Sequence, residues 1–197
     1  MKTILSLFDY SGNWTLPYKE NNYNTIQIDL KYNQDILKWN YKNVNDVYGV
    51  LAAPPCTDFS SSGAQYFKQK DLDGRTDKSL ELLDKTIEII EYFKPTFWAL
   101  ENPVGRINRL RPQLKEFGPW YFQPFWYGDS YSKKTGLWGV FNKPEITNIV
   151  EPVIYTTKSG KSGSWYWYKL GGKSERTKEL RSQTPLGFAY AFYEVNK

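Results

Sequence analysis

Short apolar runs and one long amphipathic stretch set the organisation of this chain. Thr3 to Phe8 (TILSLF) has the length and composition of a buried strand, and the turn-forming SGNW follows it. Thr25 to Leu30 (TIQIDL) alternates apolar and polar positions and predicts a second strand with Asp29 at its end. Val47 to Pro55 (VYGVLAAPP) predicts a third, stopped by Pro54 and Pro55. From Ser79 to Phe93, Leu80, Leu83, Ile87 and Ile90 recur at helical spacing with acids and Lys85 between them. That is the clearest helix in the chain, with Asp77 or Ser79 as its expected cap. Lys94 to Pro103 (KPTFWALENP) reads as a strand with a polar tip, and INRLRPQLKEFG as a short, proline-interrupted helix stopped at Gly118. WYFQPFWYG and KTGLWGVF read as two more strands.

Strands alternating with helices predict an α/β fold built on an open, mostly parallel sheet. Such sheets bind ligands beyond the carboxyl ends of their strands, where Asp29, Cys56 and Glu101 all fall. Residues 1–139 are expected to form the main core. Residues 140–183, with KSGKSGS and GGKSER, read as a less regular lobe, and residues 184–197 as a segment returning to the core.

Composition narrows the chemistry. The 197 residues suffice for one sizeable hydrophobic core. Aromatic residues make up 18%, which serves a core but also the stacking of bases. The formal charge is +5, and residues 140–183 hold eight Lys or Arg against four Asp or Glu. A basic, aromatic segment suits nucleic acid, although a solvated surface has the same composition. There is no histidine, which excludes a Ser-His-Asp arrangement, and the single cysteine excludes an internal disulfide. No metal is expected, because one thiol without histidine makes a poor zinc site. No apolar run is long enough to span a membrane, and MKTILSLFDYSGNW turns polar too soon for a secretory signal. A reducing cytoplasm is the expected setting.

That single cysteine sits in LAAPPCTDFSSSG. Most lone cysteines are small buried hydrophobes. Here two prolines stiffen the approach and a small polar run leaves, so an accessible thiol is expected. Glu101 ends an apolar strand beside Phe97, Trp98 and Leu100; the plain reading of Glu101-Asn102-Pro103 is a turn or cap. A carboxyl in that apolar setting can also hold a proton and donate it to a ring nitrogen. Thiol and carboxyl together are what a cytosine ring needs for activation: addition at carbon 6, protonation at nitrogen 3, and nucleophilic character at carbon 5.

With these motifs the chain resembles the DNA cytosine-5 methyltransferases. PPCTDFSSSG resembles their proline-cysteine motif and ENPVGR their glutamate motif, and the remaining landmarks follow in the family's order over nearly the whole chain. The resemblance implies the Rossmann-like sheet of S-adenosylmethionine-dependent methyltransferases, that cofactor, and DNA as partner. It implies Cys56 as nucleophile and Glu101 as its acidic partner, with Asn102, Lys133 and Lys134 beside the target base. Around the cofactor it places Phe8, Asp9, Tyr10, Gly12 and Trp14 of LFDYSGNW, then Asp29 on the ribose, Asp35 on the adenine, Pro54, and Thr184, Pro185 and Gly187 of TPLGFAYAF. Tyr10 stands where the first glycine of the turn is usual, and Asp35 is equally well read as a helix cap. Ser60, Arg106, Lys158, Lys161, Lys169 and Lys173 are expected to face nucleic acid. The segment from Thr57 to Thr76 reads as a closing loop hinged at Gly63 and Gly74.

The family's separate target-recognition domain does not fit between Trp138 and Thr184, so low sequence selectivity is expected. Other readings stay open: a non-catalytic nucleic-acid-binding module on the same scaffold, or an enzyme of the same mechanism acting on a free cytosine nucleotide. Thymidylate synthase shares the PPC run but follows its cysteine with histidine, where Thr57 stands here, and amino-group methyltransferases need no thiol.

Overall fold

A computed structural model describes residues 1–172 and 174–197. The first apolar run forms β1 (Thr3–Leu7), buried along its whole length. The short α1 (Leu16–Glu20) carries Pro17 in its first turn, where no backbone donor is missed, and leads to β2 (Asn24–Ile28). β3 (Val47–Ala52) comes next. Beyond it lie a 3-10 turn over Ser61–Tyr66, α2 (Phe67–Leu72) and α3 (Arg75–Phe93). β4 (Phe97–Pro103), α4 (Ile107–Leu110) and a second 3-10 turn over Pro112–Phe117 lead to β5 (Trp120–Phe122) and β6 (Thr135–Val140). The basic segment forms a hairpin of β7 (Ile154–Thr156) and β8 (Ser162–Ser164), then α5 (Trp165–Lys169) and α6 (Glu175–Ser182). The chain closes with α7 (Leu186–Val195).

Six strands form one sheet in the order β2-β1-β3-β4-β6-β5. The pairs β1-β2, β1-β3 and β3-β4 are parallel, while β6 runs antiparallel to both β4 and β5. The open, mostly parallel α/β sheet expected from the sequence is therefore present. β1 has its two successors on opposite sides, which makes the gap between the carboxyl ends of β1 and β3 the topological switch point.

Alternation along the strands feeds two cores. Leu5, Leu7, Val50, Ala52, Trp98 and Leu100 pack with Leu80, Leu83, Ile89 and Ile90 of α3 on one face. Ile4, Leu51 and Ala99 pack with Phe188, Ala189 and Phe192 of α7 on the other. The result is a helix-sheet-helix sandwich.

Three local expectations are corrected. α3 begins at Arg75, one turn before Ser79, and its cap position is Gly74 in a left-handed conformation (φ +78°) rather than Asp77 or Ser79. The left-handed glycine lets α2 stop and α3 restart in a new direction. In WYFQPFWYG only the first three residues are strand, because Pro124 opens a 3-10 turn over Pro124–Trp126. The Thr57–Thr76 segment, expected as a loop, is mostly helical, with the Lys70 side chain buried within it.

Phe188 stacks on Phe122 with ring centroids 3.7 Å apart and is wholly buried. Truncating it removes that stack and leaves a void under β5. Phe188→Ala is expected to cost about 3–5 kcal/mol in urea unfolding. A cost below about 1 kcal/mol, the level of a surface change, would mean that α7 is not the lid of this core.

Candidate active site

The carboxyl edge of the sheet, next to the switch point, gathers the chemistry. β3 and β4 lie side by side in register, Ala52 opposite Leu100, so their continuations emerge together. Pro54-Pro55 carries the chain from β3 to Cys56, and Glu101 and Asn102 are the last turns of β4. Asn102 is fully buried and its amide donates to the Pro54 carbonyl at 3.1 Å. This fastens one strand exit to the other. The Asn102 carbonyl oxygen has no partner among the described residues. Asn102 thus ties β4 to the chain leaving β3, and Pro54, assigned to the cofactor, has its carbonyl committed to Asn102.

Cys56 is exposed, as an accessible nucleophile must be. Its thiol is nonetheless pushed above the ordinary value, first by the protein mass around it and next by the negative charge of Glu101. The two facts describe a recess: the residue is exposed, but too little water surrounds its thiol to stabilise a thiolate fully. Lys133 and Arg181 act in the opposite direction. Lys133 Nζ lies 3.7 Å from Glu101 Oε1. Arg181, in α6, carried no sequence signal that tied it to Cys56, because the connection exists only once the lobe folds back.

The turn after β1 is organised by Asp9. Its buried carboxylate accepts from Ser6 Oγ at 2.9 Å, Ser11 Oγ at 3.0 Å and the Gly12 amide at 2.8 Å, so Asp9 shapes the turn and has little capacity left for a ligand. Phe8 and Gly12 both take positive φ, +61° and +70°. Tyr10 does not block the turn: its ring faces outward against Tyr32, centroids 5.2 Å apart, under Lys31 Nζ at 4.5 Å. Lys31 in turn pairs with Glu179 of α6 at 3.0 Å. Trp14 is buried with its indole N–H unpartnered, and it lines a narrow crevice with Glu101, Lys133, Thr184 and Pro185. Asp29, at the end of β2, accepts from the Lys31 amide on one oxygen. Asp35 accepts from the Leu37 amide at 3.0 Å within a turn, and among the described residues no helix follows for it to cap. Gly187 packs against backbone: a Cβ there would sit 1.8 Å from the Tyr127 carbonyl oxygen.

The basic residues separate. Lys133 and Lys134, expected together, point apart as neighbours in extended chain do. Lys133 turns inward to Glu101, while Lys134 sits outside over the Tyr121 ring at 4.5 Å. Arg106, expected to face nucleic acid, is instead buried and wholly engaged inside the protein with Asp58, Asp71 and Thr76. Ser60 caps the 3-10 turn that follows it by accepting from Ser62. Lys158, Lys161 and Lys169 are exposed on the hairpin and α5 and make no ion pair among the described residues. Lys173 lies outside the described residues. Tyr166 of α5 stacks on Tyr131 at 4.3 Å, and its hydroxyl donates to the Arg181 carbonyl at 3.2 Å, which joins the lobe to the site. A surface depression on the outer face of α3, around Asp77, Glu81, Asp84 and Glu88, holds none of these groups.

A mostly parallel sheet carries a thiol and a carboxyl group at the carboxyl ends of two adjacent strands, and comparison with known proteins identifies the class. Residues 3–113 match the model of the C-5 cytosine-specific DNA methylase family. A Frog virus 3 protein named "Probable DNA (cytosine-5)-methyltransferase" is 31% identical over 206 aligned positions, covering 92% of this chain and 94% of that one. This chain belongs to the C-5 cytosine-specific DNA methylase family. In fold it is similar to an E. coli prophage protein described as a DNA modification methyltransferase, with a TM-score of 0.51 and 15% identity over 90% of this chain. A mutant of Spodoptera frugiperda DNMT2 matches with a TM-score of 0.41 and 21% identity over 78% of the chain. The chain spans 66% and 55% of the lengths of those two solved proteins. No helix is long and apolar enough to cross a membrane among the described residues.

The electrostatics of Cys56 predict a pH signature. Alkylation by iodoacetamide reports this one thiol, the only cysteine in the chain. Its rate should climb with pH through a midpoint above that of a free cysteine. Glu101→Gln should lower that midpoint, since it removes a charge that opposes the thiolate, and Lys133→Met should raise it further. An unmoved midpoint in both variants would show that neither charge reaches the sulfur.

Proposed function

We propose that this chain transfers a methyl group to carbon 5 of cytosine in DNA through a covalent adduct on Cys56. The observation that carries this reading is the joined exit of β3 and β4, which presents an exposed thiol within the electrostatic reach of a carboxyl group. The target base leaves the stack and enters between them. Cys56 sulfur, as thiolate, adds to carbon 6, while the carboxyl of Glu101 gives its proton to nitrogen 3. The resulting electron-rich carbon 5 is the methyl acceptor. Water then takes the carbon-5 proton, the carbon 6–sulfur bond breaks to restore the thiolate, and nitrogen 3 returns its proton to Glu101. No histidine is available for that last proton.

The raised pKa of the thiol bears on this order of events. Glu101 opposes the thiolate only while it is itself negative. The protonated form that can donate to nitrogen 3 carries no such charge, so thiolate attack belongs with a Glu101 that still holds its proton. Lys133 beside Glu101 limits the negative charge of the pair.

The residues present fit S-adenosylmethionine. The unpartnered Trp14 N–H lines a crevice with Thr184 and Pro185, and Asp29 closes the neighbouring strand end with a carboxylate engaged on one oxygen only. Trp14, Asp29, Thr184 and Pro185 would hold it, with Phe8 and Gly12 forming the turn beside it. S-adenosylmethionine supplies the electrophilic methyl group when bound. Tyr10 faces away from this region.

DNA is held by the small lobe. Lys158, Lys161 and Lys169 meet phosphates, while exposed Tyr155, Trp167 and Tyr168 offer apolar faces between them. A hairpin of three-residue strands presents few fixed side chains to base edges, which supports low sequence selectivity.

Labelled S-adenosylmethionine offered with DNA, RNA or dCMP separates the alternatives. Label is expected in DNA and absent with Cys56→Ser. Glu101→Gln should bind DNA but turn over about 10²- to 10⁴-fold more slowly. Transfer to dCMP alone would move the substrate off the polymer, and cofactor binding without transfer to any acceptor would leave a binding module. Replacing Lys158, Lys161 and Lys169 by Ala should weaken DNA binding uniformly across sequences. If all three contact phosphate, the slope of log affinity against log salt should shrink by about 2 to 3. An unchanged slope would place DNA on another surface.

A further inference from the structure

The four residues after Cys56 are gripped by two buried cations that neither the nucleophile nor the DNA reading accounts for. The Cys56 carbonyl accepts from the Phe59 and Ser60 amides at 3.0 and 2.9 Å, so the chain turns tightly as it leaves the sulfur. Lys70 of α2, only 5% exposed, donates to the Thr57 carbonyl at 2.5 Å. Its ammonium also lies 3.1 Å from Asp58 Oδ1, an ion pair without hydrogen-bond alignment, since that oxygen counts no hydrogen-bond partner. Asp58 Oδ2 accepts from Ser79 Oγ of α3 at 2.6 Å. From the opposite side, Arg106, 6% exposed, donates from Nε to the Asp58 carbonyl at 3.0 Å and from its backbone amide to the Phe59 carbonyl at 2.9 Å. The rest of its guanidinium reaches Asp71 Oδ2 and Thr76 Oγ1, both at 2.8 Å, and its plane covers the Phe67 ring at 3.8 Å. Gly105 makes the approach possible, because a Cβ there would fall 2.0 Å from the Phe59 carbonyl oxygen.

We infer that Lys70 and Arg106 form a clamp that positions the Cys56 nucleophile from the far side of its loop, with Lys70 the element that sets where the sulfur sits. The inference rests on Cys56 being the nucleophile. Its physical basis is that buried charges make poor general adhesive. Taking ammonium, guanidinium and carboxylates from water is costly, and an apolar set of similar volume often stabilises as well or better. What a paired, hydrogen-bonded set does supply is one geometry: the Thr57 and Asp58 carbonyls have a single place to go. Two stiff prolines fix the backbone before Cys56 and the clamp fixes it after, so the sulfur is held from both sides while its face stays open. Thr57 and Asp58 are too near the sulfur for a shift there to leave it in place. Lys70 contacts neither the crevice nor the lobe, which makes it a positioning residue.

Lys70→Met keeps the length of the side chain and removes its donors. In the full chain, kcat for methyl transfer to DNA is expected to fall at least 10-fold while KM for DNA stays within 2-fold. Cys56 alkylation by iodoacetamide at fixed pH should rise several-fold toward the rate of the unfolded chain, because the sulfur is no longer held in its recess. Ser79→Ala, which removes only the hydroxyl behind Asp58, should move both readings the same way by a smaller amount; it serves alone should Lys70→Met fail to fold. Lys70→Arg, which restores a donor, should recover part of kcat. Unchanged kcat and unchanged alkylation in the folded variants would overturn the clamp, as would a raised KM with kcat preserved, which would make Lys70 a DNA contact. Alkylation needs no turnover. Should the wild-type chain transfer no methyl at all, the proposed activity fails while the alkylation comparison still decides whether Lys70 positions the thiol.

Discussion

A buried hydrogen bond from the Asn102 amide to the Pro54 carbonyl is the first of several that join the two strand exits on which the chemistry depends. Beyond it, the Ser61–Val104 and Arg106–Phe59 backbone bonds hold the same two continuations together, so the Asn102 bond begins a seam rather than standing alone. The bond forms where no water can replace it, and a buried amide left without a partner costs about 1–3 kcal/mol. The sheet therefore enforces the pairing, and the pairing brings the Pro54-Pro55-Cys56 run over the tip that carries Glu101. Parallel pairing matters here. Adjacent parallel strands release their chains on the same edge of the sheet, so a nucleophile and an acid from distant parts of the sequence meet with no special loop to join them.

The environment built this way is unfavourable to the resting thiolate. Crowding by protein and the Glu101 charge hold the thiol in its protonated form, against the weaker pull of Lys133 and Arg181. A permanently ionised thiol would react with any passing electrophile. A thiol whose acidity depends on the charge of its partner is silent until that partner is neutralised. Arg181 arrives from the lobe, and Tyr166 anchors that helix by bonding to its carbonyl, so the folding of the small lobe and the electrostatics of the site are linked.

The sheet and its site were legible because they are written in local patterns. Apolar runs at strand length, prolines as stops and one helical spacing suffice for β1 to β4 and α3, and the polar residue at each strand end marks the functional edge. Less local features were hidden. That β6 inserts antiparallel between β4 and β5 depends on packing, because its apolar run has no direction of its own. Lys133 and Lys134 look equivalent in sequence, yet an extended chain sends them to opposite sides. Arg106 reads as a surface cation because arginine usually is one. Its burial depends on Asp71 and Thr76, 35 and 30 residues earlier, coming to meet it. Asp9 was read as a ligand residue, but a short acid two or three positions before Ser11 and Gly12 is equally well placed to bind its own turn. Tyr10 stood in the place of a glycine, and only the outward course of its ring removes the conflict.

The central claim is that Cys56 sulfur bonds to carbon 6 of a cytosine whose opposite side is held by Glu101. DNA bearing 5-fluorocytosine tests it directly, since fluorine at carbon 5 cannot leave as a proton and the adduct cannot break down after methyl transfer. Incubation with S-adenosylmethionine, digestion and mass spectrometry should place the nucleotide on the peptide containing Cys56, with the yield sharply lower for Glu101→Gln. Methylation of ordinary DNA without any trapped species on Cys56, or trapping that persists undiminished in Glu101→Gln, would contradict it.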